Sequence, residues 1–185
     1  MQTTIRIIMK WLPLAIIVAG LCGLVYLTVQ QSLRMAANDP QIQMAEDAAN
    51  ILNGGASADS VIPATKVELA NSLAPFIIVF DDFGKVLASS ATLHGSVPVY
   101  PSGVLDYTRQ HGEDRVTWQP ENGVRMATVV VRYDNGFVLA GRSLREVEIR
   151  ESNIEKISGI AMLFIWAVTL FILVLGELFR RKKGT

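Results

Sequence analysis

Two long runs of this chain carry no charge, and they leave it few ways to fold. Trp11 to Val29 and Ile157 to Gly176 contain no Asp, Glu, Lys or Arg. Each is about the ~20 residues that a helix needs to span ~30 Å of hydrocarbon. Half of the 185 residues are apolar, and the excess sits in these two blocks. The sequence between them, Gln30 to Lys156, is mixed in the manner of one soluble domain of ordinary size. The expected divisions are an N-terminal segment 1–10, a membrane helix 11–29, an outer domain 30–156, a second membrane helix 157–179 and a basic tail 180–185.

A net charge of zero conceals an asymmetry. The N-terminal segment carries Arg6 and Lys10 and no acid, and the C-terminal tail carries Arg180, Arg181, Lys182 and Lys183 against Glu177 alone. The middle holds 16 acidic and 11 basic side chains, a net charge of −5. Positive flanks mark the cytoplasmic side. Both ends are therefore expected in the cytoplasm, and the acidic middle in the periplasm or extracellular space. An acidic outer domain also argues against nucleic acid as a partner.

A signal peptide competes for the first run. That run is long for the apolar core of such a peptide, and no small-x-small cleavage site ends it. Leu21 stands where a lipoprotein would need a small residue before Cys22. An uncleaved anchor is the preferred reading, with Cys22, the only cysteine, as a small apolar residue in lipid. Within the same run Ala15, Ala19 and Gly23 recur every four residues, a stripe that lets helices approach closely. Packing against the chain's own second membrane helix is the preferred use, and self-association into a homodimer is the alternative.

Asp39 and Pro40 suit the cap and first position of a helix running to about Leu52, with Ile42, Ala45, Ala49 and Leu52 along one side. Pro40 inside a longer helix continuing from the membrane is the alternative. Gly54-Gly55 stop it. Ala56 to Ser60 reads as a loop, and a shorter helix is expected from Pro63 to about Leu73. Phe76 to Phe80 is a strand rich in β-branched and aromatic residues. Asp81-Asp82-Phe83-Gly84 turns it into a returning strand, Lys85 to Ser89. A loop from Ala91 to Gly112 holds a short helix, about Ser102 to Gln110. Three strands follow, Arg115–Gln119, Val124–Tyr133 and Phe137–Arg142, joined by turns rich in Asn, Asp and Gly. The run Ala127 to Val131 scarcely alternates, as in a strand covered on both faces. The fold class is α+β: a five-stranded antiparallel sheet with N-terminal helices on one side and a loop-helix layer on the other, flanked by two transmembrane helices. Gly141, at a strand end, is also a candidate hinge. Ser143-Leu144-Arg145-Glu146 reads as a capping box, opening one helix from Leu144 to about Phe179.

This order of elements resembles the extracytoplasmic PAS-like sensor domains called Cache domains, found on bacterial sensor kinases and chemoreceptors. Phe76-Ile77-Ile78-Val79-Phe80-Asp81-Asp82-Phe83-Gly84-Lys85-Val86-Leu87-Ala88-Ser89 is similar to the first hairpin of that fold. Gly136-Phe137-Val138-Leu139-Ala140-Gly141-Arg142-Ser143-Leu144-Arg145-Glu146 is similar to its last strand and exit helix. The resemblance implies a sensor of the bacterial inner membrane that takes a small ligand or envelope cue. Only Arg180 to Thr185 follow the second apolar run, so a signal would pass through a membrane or cytoplasmic protein partner. A scaffold or accessory subunit, whose outer domain docks another envelope protein, is the alternative.

Given such a fold, a pocket would lie between the sheet and the Ala91–Gly112 layer. Tyr100, Tyr107, Arg109, Trp118, Arg125 and Arg132 are the candidate ligand-binding residues, holding a small carboxylate by stacking and bidentate hydrogen bonds. The alternative places the aromatics in the core or at its rim and the arginines in solvent or salt bridges. No catalytic residue, cofactor or metal site is assigned. His94 and His111 lie in the loop region, and Asp106, Glu113 and Asp114 near His111 read as a solvated surface. Asp81 and Asp82 read as turn residues and not as a catalytic carboxylate pair.

Overall fold

The structure, a computed structural model, describes residues 2–182, so the end of the basic tail, Lys183 to Thr185, lies outside the described residues. In chain order the elements are α1 (Gln2–Asn53), a 3-10 turn (Ala58–Val61), β1 (Val67–Glu68), β2 (Phe76–Asp81), β3 (Val86–Ser89), β4 (Ala91–Thr92), α2 (Ser102–His111), β5 (Glu113–Glu121), β6 (Val124–Tyr133), β7 (Gly136–Ser143) and α3 (Arg145–Lys182). The chain divides into two compact units, Leu33–Glu148 and the pair of segments Met1–Ser32 and Ile149–Thr185.

In the first of these units the sheet has five strands in the order β3-β2-β7-β6-β5, and every neighbouring pair is antiparallel. Counted along its own strands the sheet reads 2-1-5-4-3, with the last strand, β7, at its centre. The β2–β3 turn is fixed by Asp81, whose Oδ1 accepts from the amides of Phe83 (2.9 Å) and Lys85 (2.8 Å). Side chains of a strand alternate between faces, and here both faces are covered. Phe76, Ile78, Phe80, Phe137 and Leu139 pack under the loop-helix layer with Tyr100, Leu105 and Trp118. Ile77, Val79, Val129, Val138 and Ala140 pack against Ala45, Ala48, Ala49 and Leu52 of α1. The scarcely alternating run at Ala127–Val131 is thus explained by cover on both sides, with Thr128, its one polar side chain, bonded to Val116 O.

The expected helix from Pro63 to Leu73 does not form. Val67-Glu68-Leu69 alternates with period two, and Val67 and Leu69 are buried while Glu68 is not. That pattern suits an extended strand, and β1 pairs in parallel with β4. The only helical turn nearby is Ala58–Val61, in the stretch read as a loop.

Asp39 and Pro40 do not begin a helix either, because α1 runs through them without a break. It ends where expected, in a Schellman arrangement: the amide of Ala56 bonds Ile51 O (3.4 Å) and that of Gly55 bonds Leu52 O (3.0 Å). Gly55, at φ +88, supplies the left-handed residue this ending needs.

Gly141 has a packing role in the sheet. It lies opposite Phe76 in the β2–β7 register, and a Cβ there would run into the Phe76 ring. Its missing side chain makes room for that ring in the centre of the sheet. Ser143 then ends β7, and its Oγ accepts the amide of Arg145 at 3.2 Å, opening α3.

In the other unit, the first and last helices lie side by side and run in opposite directions. Arg6 meets Glu177 at 3.4 Å. The Trp11 indole N–H is shared between Trp166 O and Thr169 Oγ1, each at 3.2 Å, and Trp166 Nε1 donates to Ala15 O at 3.1 Å. The two rings meet edge to face at 5.9 Å. An indole N–H left without an acceptor in an apolar medium would cost several kcal/mol at roughly the cyclohexane-transfer scale, so this reciprocal pairing fixes the register of the helices. Ala15 is buried, and Ala19 and Gly23 face Ser158, Gly159 and Met162 across a narrow crevice. Of the small-residue stripe, Ala15 packs against the second helix, whereas Gly23 is exposed and a Cβ added there or at Gly159 would meet no atom within 4 Å. Thr4–Leu33 and Arg145–Arg180, whose most apolar 18-residue stretches have mean hydropathies of 2.3 and 2.6, are long and apolar enough to cross a membrane.

Candidate functional site

β5 is an edge strand, so one side of its backbone has no strand partner. Beside it runs the segment leading into α2. Val99, Tyr100, Pro101 and Val104 on one side, and Val116 to Pro120 on the other, enclose a groove of about 530 Å3. Its floor is aromatic. The Tyr100 and Trp118 rings meet edge to face at 5.0 Å, and Phe80 and Phe76 extend the cluster at 6.1 and 6.5 Å. Such pairs contribute about 0.5–1.5 kcal/mol each beyond their buried area.

Tyr100 is held by its hydroxyl as well as its ring. Thr128 Oγ1 donates to Val116 O at 2.9 Å, so its single proton is engaged. In the 3.0 Å contact between the two hydroxyls, Tyr100 must therefore be the donor. Burial pushes the Tyr100 phenol up from its ordinary value, keeping it neutral. The groove wall contains no charged side chain. What it offers a ligand is the accessible margins of two largely buried rings, the hydroxyl of Thr117, the amide of Gln119 and the edge of β5.

Of the six candidate residues, the structure brings Tyr100 and Trp118 together here and places the other four elsewhere. Tyr107 is exposed and stacks on the His111 ring at 3.9 Å, and His111 Nδ1 contacts Tyr107 O. Arg109 is engaged by Asp106 and by Asp82 O, each at 2.6 Å, and lies over the Phe137 ring at 5.2 Å. Arg132 reaches Arg109 O at 3.1 Å and Asp82 at 3.7 Å. Arg125 pairs with Glu148 at 2.5 Å, at the start of α3. The three arginines thus neutralise acids of their own chain. Among the described residues no group of three or more His, Cys, Asp or Glu gathers as a metal would require.

A second arrangement lies at the end of β5. Leu93 and Ser96 close a tight two-residue turn with reciprocal bonds of 2.7 and 3.1 Å. The turn residues His94 and Gly95 have φ of +52 and +78, as hairpin turns of this kind require. His94 N donates to Glu68 Oε1 at 3.0 Å, and His94 Nε2 meets Glu121 Oε2 at 2.6 Å. The Glu121 bond and charge raise the His94 pKa above its ordinary value, with a smaller contribution from Glu68. Glu68 is itself held below the usual carboxylate value, chiefly by the His94 amide. This clamp ties the loop layer to the end of β5. It was hidden in the sequence, because Glu68 lay in an expected helix and Glu121 in an ordinary turn.

Compared with models of protein families, with curated proteins and with solved structures, the chain matches none.

Proposed function

We propose that this chain is a two-pass protein of a bacterial cytoplasmic membrane, with both ends inside, whose PAS/Cache-like outer domain receives a cue and passes it through α3 to a partner protein. The observation that carries this reading is the path of the chain out of the sheet. β7 occupies the centre of the sheet and is followed, after one residue, by a single helix of 38 residues. At ~1.5 Å per residue that helix is roughly 57 Å long, enough to cross a bilayer with turns to spare. A cue that repacks either face acts on the strand from which this helix starts, and a stiff helix passes on rotation or translation. The 2-1-5-4-3 sheet order, with a helical connection between its second and third strands, supports the PAS-like reading. The basic residues outside each apolar run support the orientation.

The test of transmission is phase. One alanine inserted after Glu151 turns everything below it by ~100°, whereas four nearly restore the phase. A partner cross-link or phenotype lost with one insertion and kept with four supports signalling. Equal tolerance of both leaves a tether. Orientation is tested separately in a Cys22→Ala background: Asn122→Cys should react with an impermeant thiol reagent in intact cells, and Gly184→Cys should not.

A docking module is the second reading, favoured by the shape of the groove. It is open and uncharged, and Val97 and Val99 beside it are 43% and 88% exposed. An extended segment of an envelope protein could add to the edge of β5 and set side chains against Tyr100 and Trp118. A photo-crosslinker at Val99 that captures one protein, with Trp118→Ala abolishing capture, would place docking ahead of small-ligand sensing.

A further inference from the structure

We propose a second binding site, for the phosphate headgroup of an anionic phospholipid, in the crevice where the N-terminal part of α1 meets the end of α3. This inference rests on the two-pass reading, which the thiol-labelling experiment decides independently. The crevice measures about 350 Å3 and is lined by Ile7, Lys10, Ile172, Leu173, Gly176, Glu177 and Arg180. That is within the roughly 300–1,000 Å3 range of ligand pockets.

Its chemistry is divided. Ile7, Ile172 and Leu173 form an apolar wall that a hydrophilic anion alone would not use but an acyl chain would. Lys10 and Arg180 bring two cations to the same recess. The one carboxylate present, Glu177, already has Arg6 at 3.4 Å, so it does not neutralise them. Among the described residues neither Lys10 nor Arg180 has a hydrogen bond or ion pair. Basic recesses between membrane helices on the cytoplasmic side suit acidic lipid headgroups, with arginine able to hold phosphate oxygens in pairs.

Cations flanking a membrane helix are common, and a diffuse attraction to acidic lipid would need no crevice. Gly176 separates the two cases. It lines the recess and a Cβ built there meets no atom within 4 Å, so a side chain can be added at its wall without a clash at Cβ. Lys182, which is exposed and does not line the recess, serves as the matched charge control.

The experiment is native mass spectrometry of the full chain in mild detergent, titrated with dioleoyl phosphatidylglycerol, dioleoyl phosphatidylcholine and inorganic phosphate. The expected preference for phosphatidylglycerol over phosphatidylcholine is about tenfold or more, from two cations near a headgroup. Lys10→Gln, Arg180→Gln and Gly176→Leu should each reduce it to about twofold or less, with helicity by circular dichroism unchanged, whereas Lys182→Gln should leave it intact. An equal loss in Lys182→Gln, or full retention in Gly176→Leu, would overturn the site in favour of diffuse attraction. Displacement of phosphatidylglycerol by equimolar inorganic phosphate would overturn the lipid and leave a plain anion site.

Discussion

Under α1 the sheet presents Ile77, Val79, Val129, Val138 and Ala140 to three alanines and a leucine. On the opposite face Phe76, Phe80 and Phe137 meet Tyr100 and Trp118. The helix face is built mostly from small and β-branched side chains, with Leu52 and Tyr133 as its larger members. The loop face is built from rings, which span a wider and less regular gap and leave a groove at the β5 edge. One side of the domain is thus a seat for a helix, and the other is an aromatic layer with a groove beside it.

Removing bulk should hurt the aromatic face most. Phe137→Ala, at a position with no exposure, should lower the unfolding free energy by about 3–5 kcal/mol, measured by urea denaturation. Adding bulk should hurt the helix face. Ala45→Leu, also at a position with no exposure, should cost about 1–3 kcal/mol, because the seat has no void to receive it. A neutral Ala45→Leu would show that α1 can move away from the sheet, and the contrast between the faces would fail.

Smaller changes sharpen the comparison. Tyr100→Phe keeps the ring and loses the bond to Thr128, and should cost about 1 kcal/mol while leaving apolar binding in the groove unchanged. The smallest effect is a pH dependence confined to the loop layer. His94 has a raised pKa, so its contribution is complete below the ordinary histidine value of 6.5 and is lost as pH rises through the higher folded value. Glu68 has a lowered pKa, so its contribution is present above 4.5 and is lost as pH falls through the lower folded value. The clamp is therefore firmest between the two. Wild type should lose stability relative to His94→Gln as pH rises above about 6.5, read as the difference between their melting temperatures. A parallel pH course for the two proteins would remove the clamp.

Much of this architecture was legible in the sequence, and physical reasons mark where it stopped. The apolar runs, the β-branched and aromatic strands and the turn residues act locally, so β2, β3, β6, β7 and α2 fall where periodicity and turn chemistry place them. Pro40 misled because a cap signal acts only where a helix begins, and a helix already running can carry a proline at the loss of one backbone bond. Val67 to Leu69 misled because three alternating residues are too short a signal to outweigh the expected helix, and β1 is stabilised by pairing with β4, a distant segment. The two charge-free runs determined two helices long and apolar enough to cross a membrane. Only the tertiary structure decided that Tyr100 and Trp118 share a groove while Arg109, Arg125 and Arg132 are matched to acids elsewhere. Aromatic and basic side chains carry no local signal of the partner they will meet, and strand pairing alone sets which of them come together.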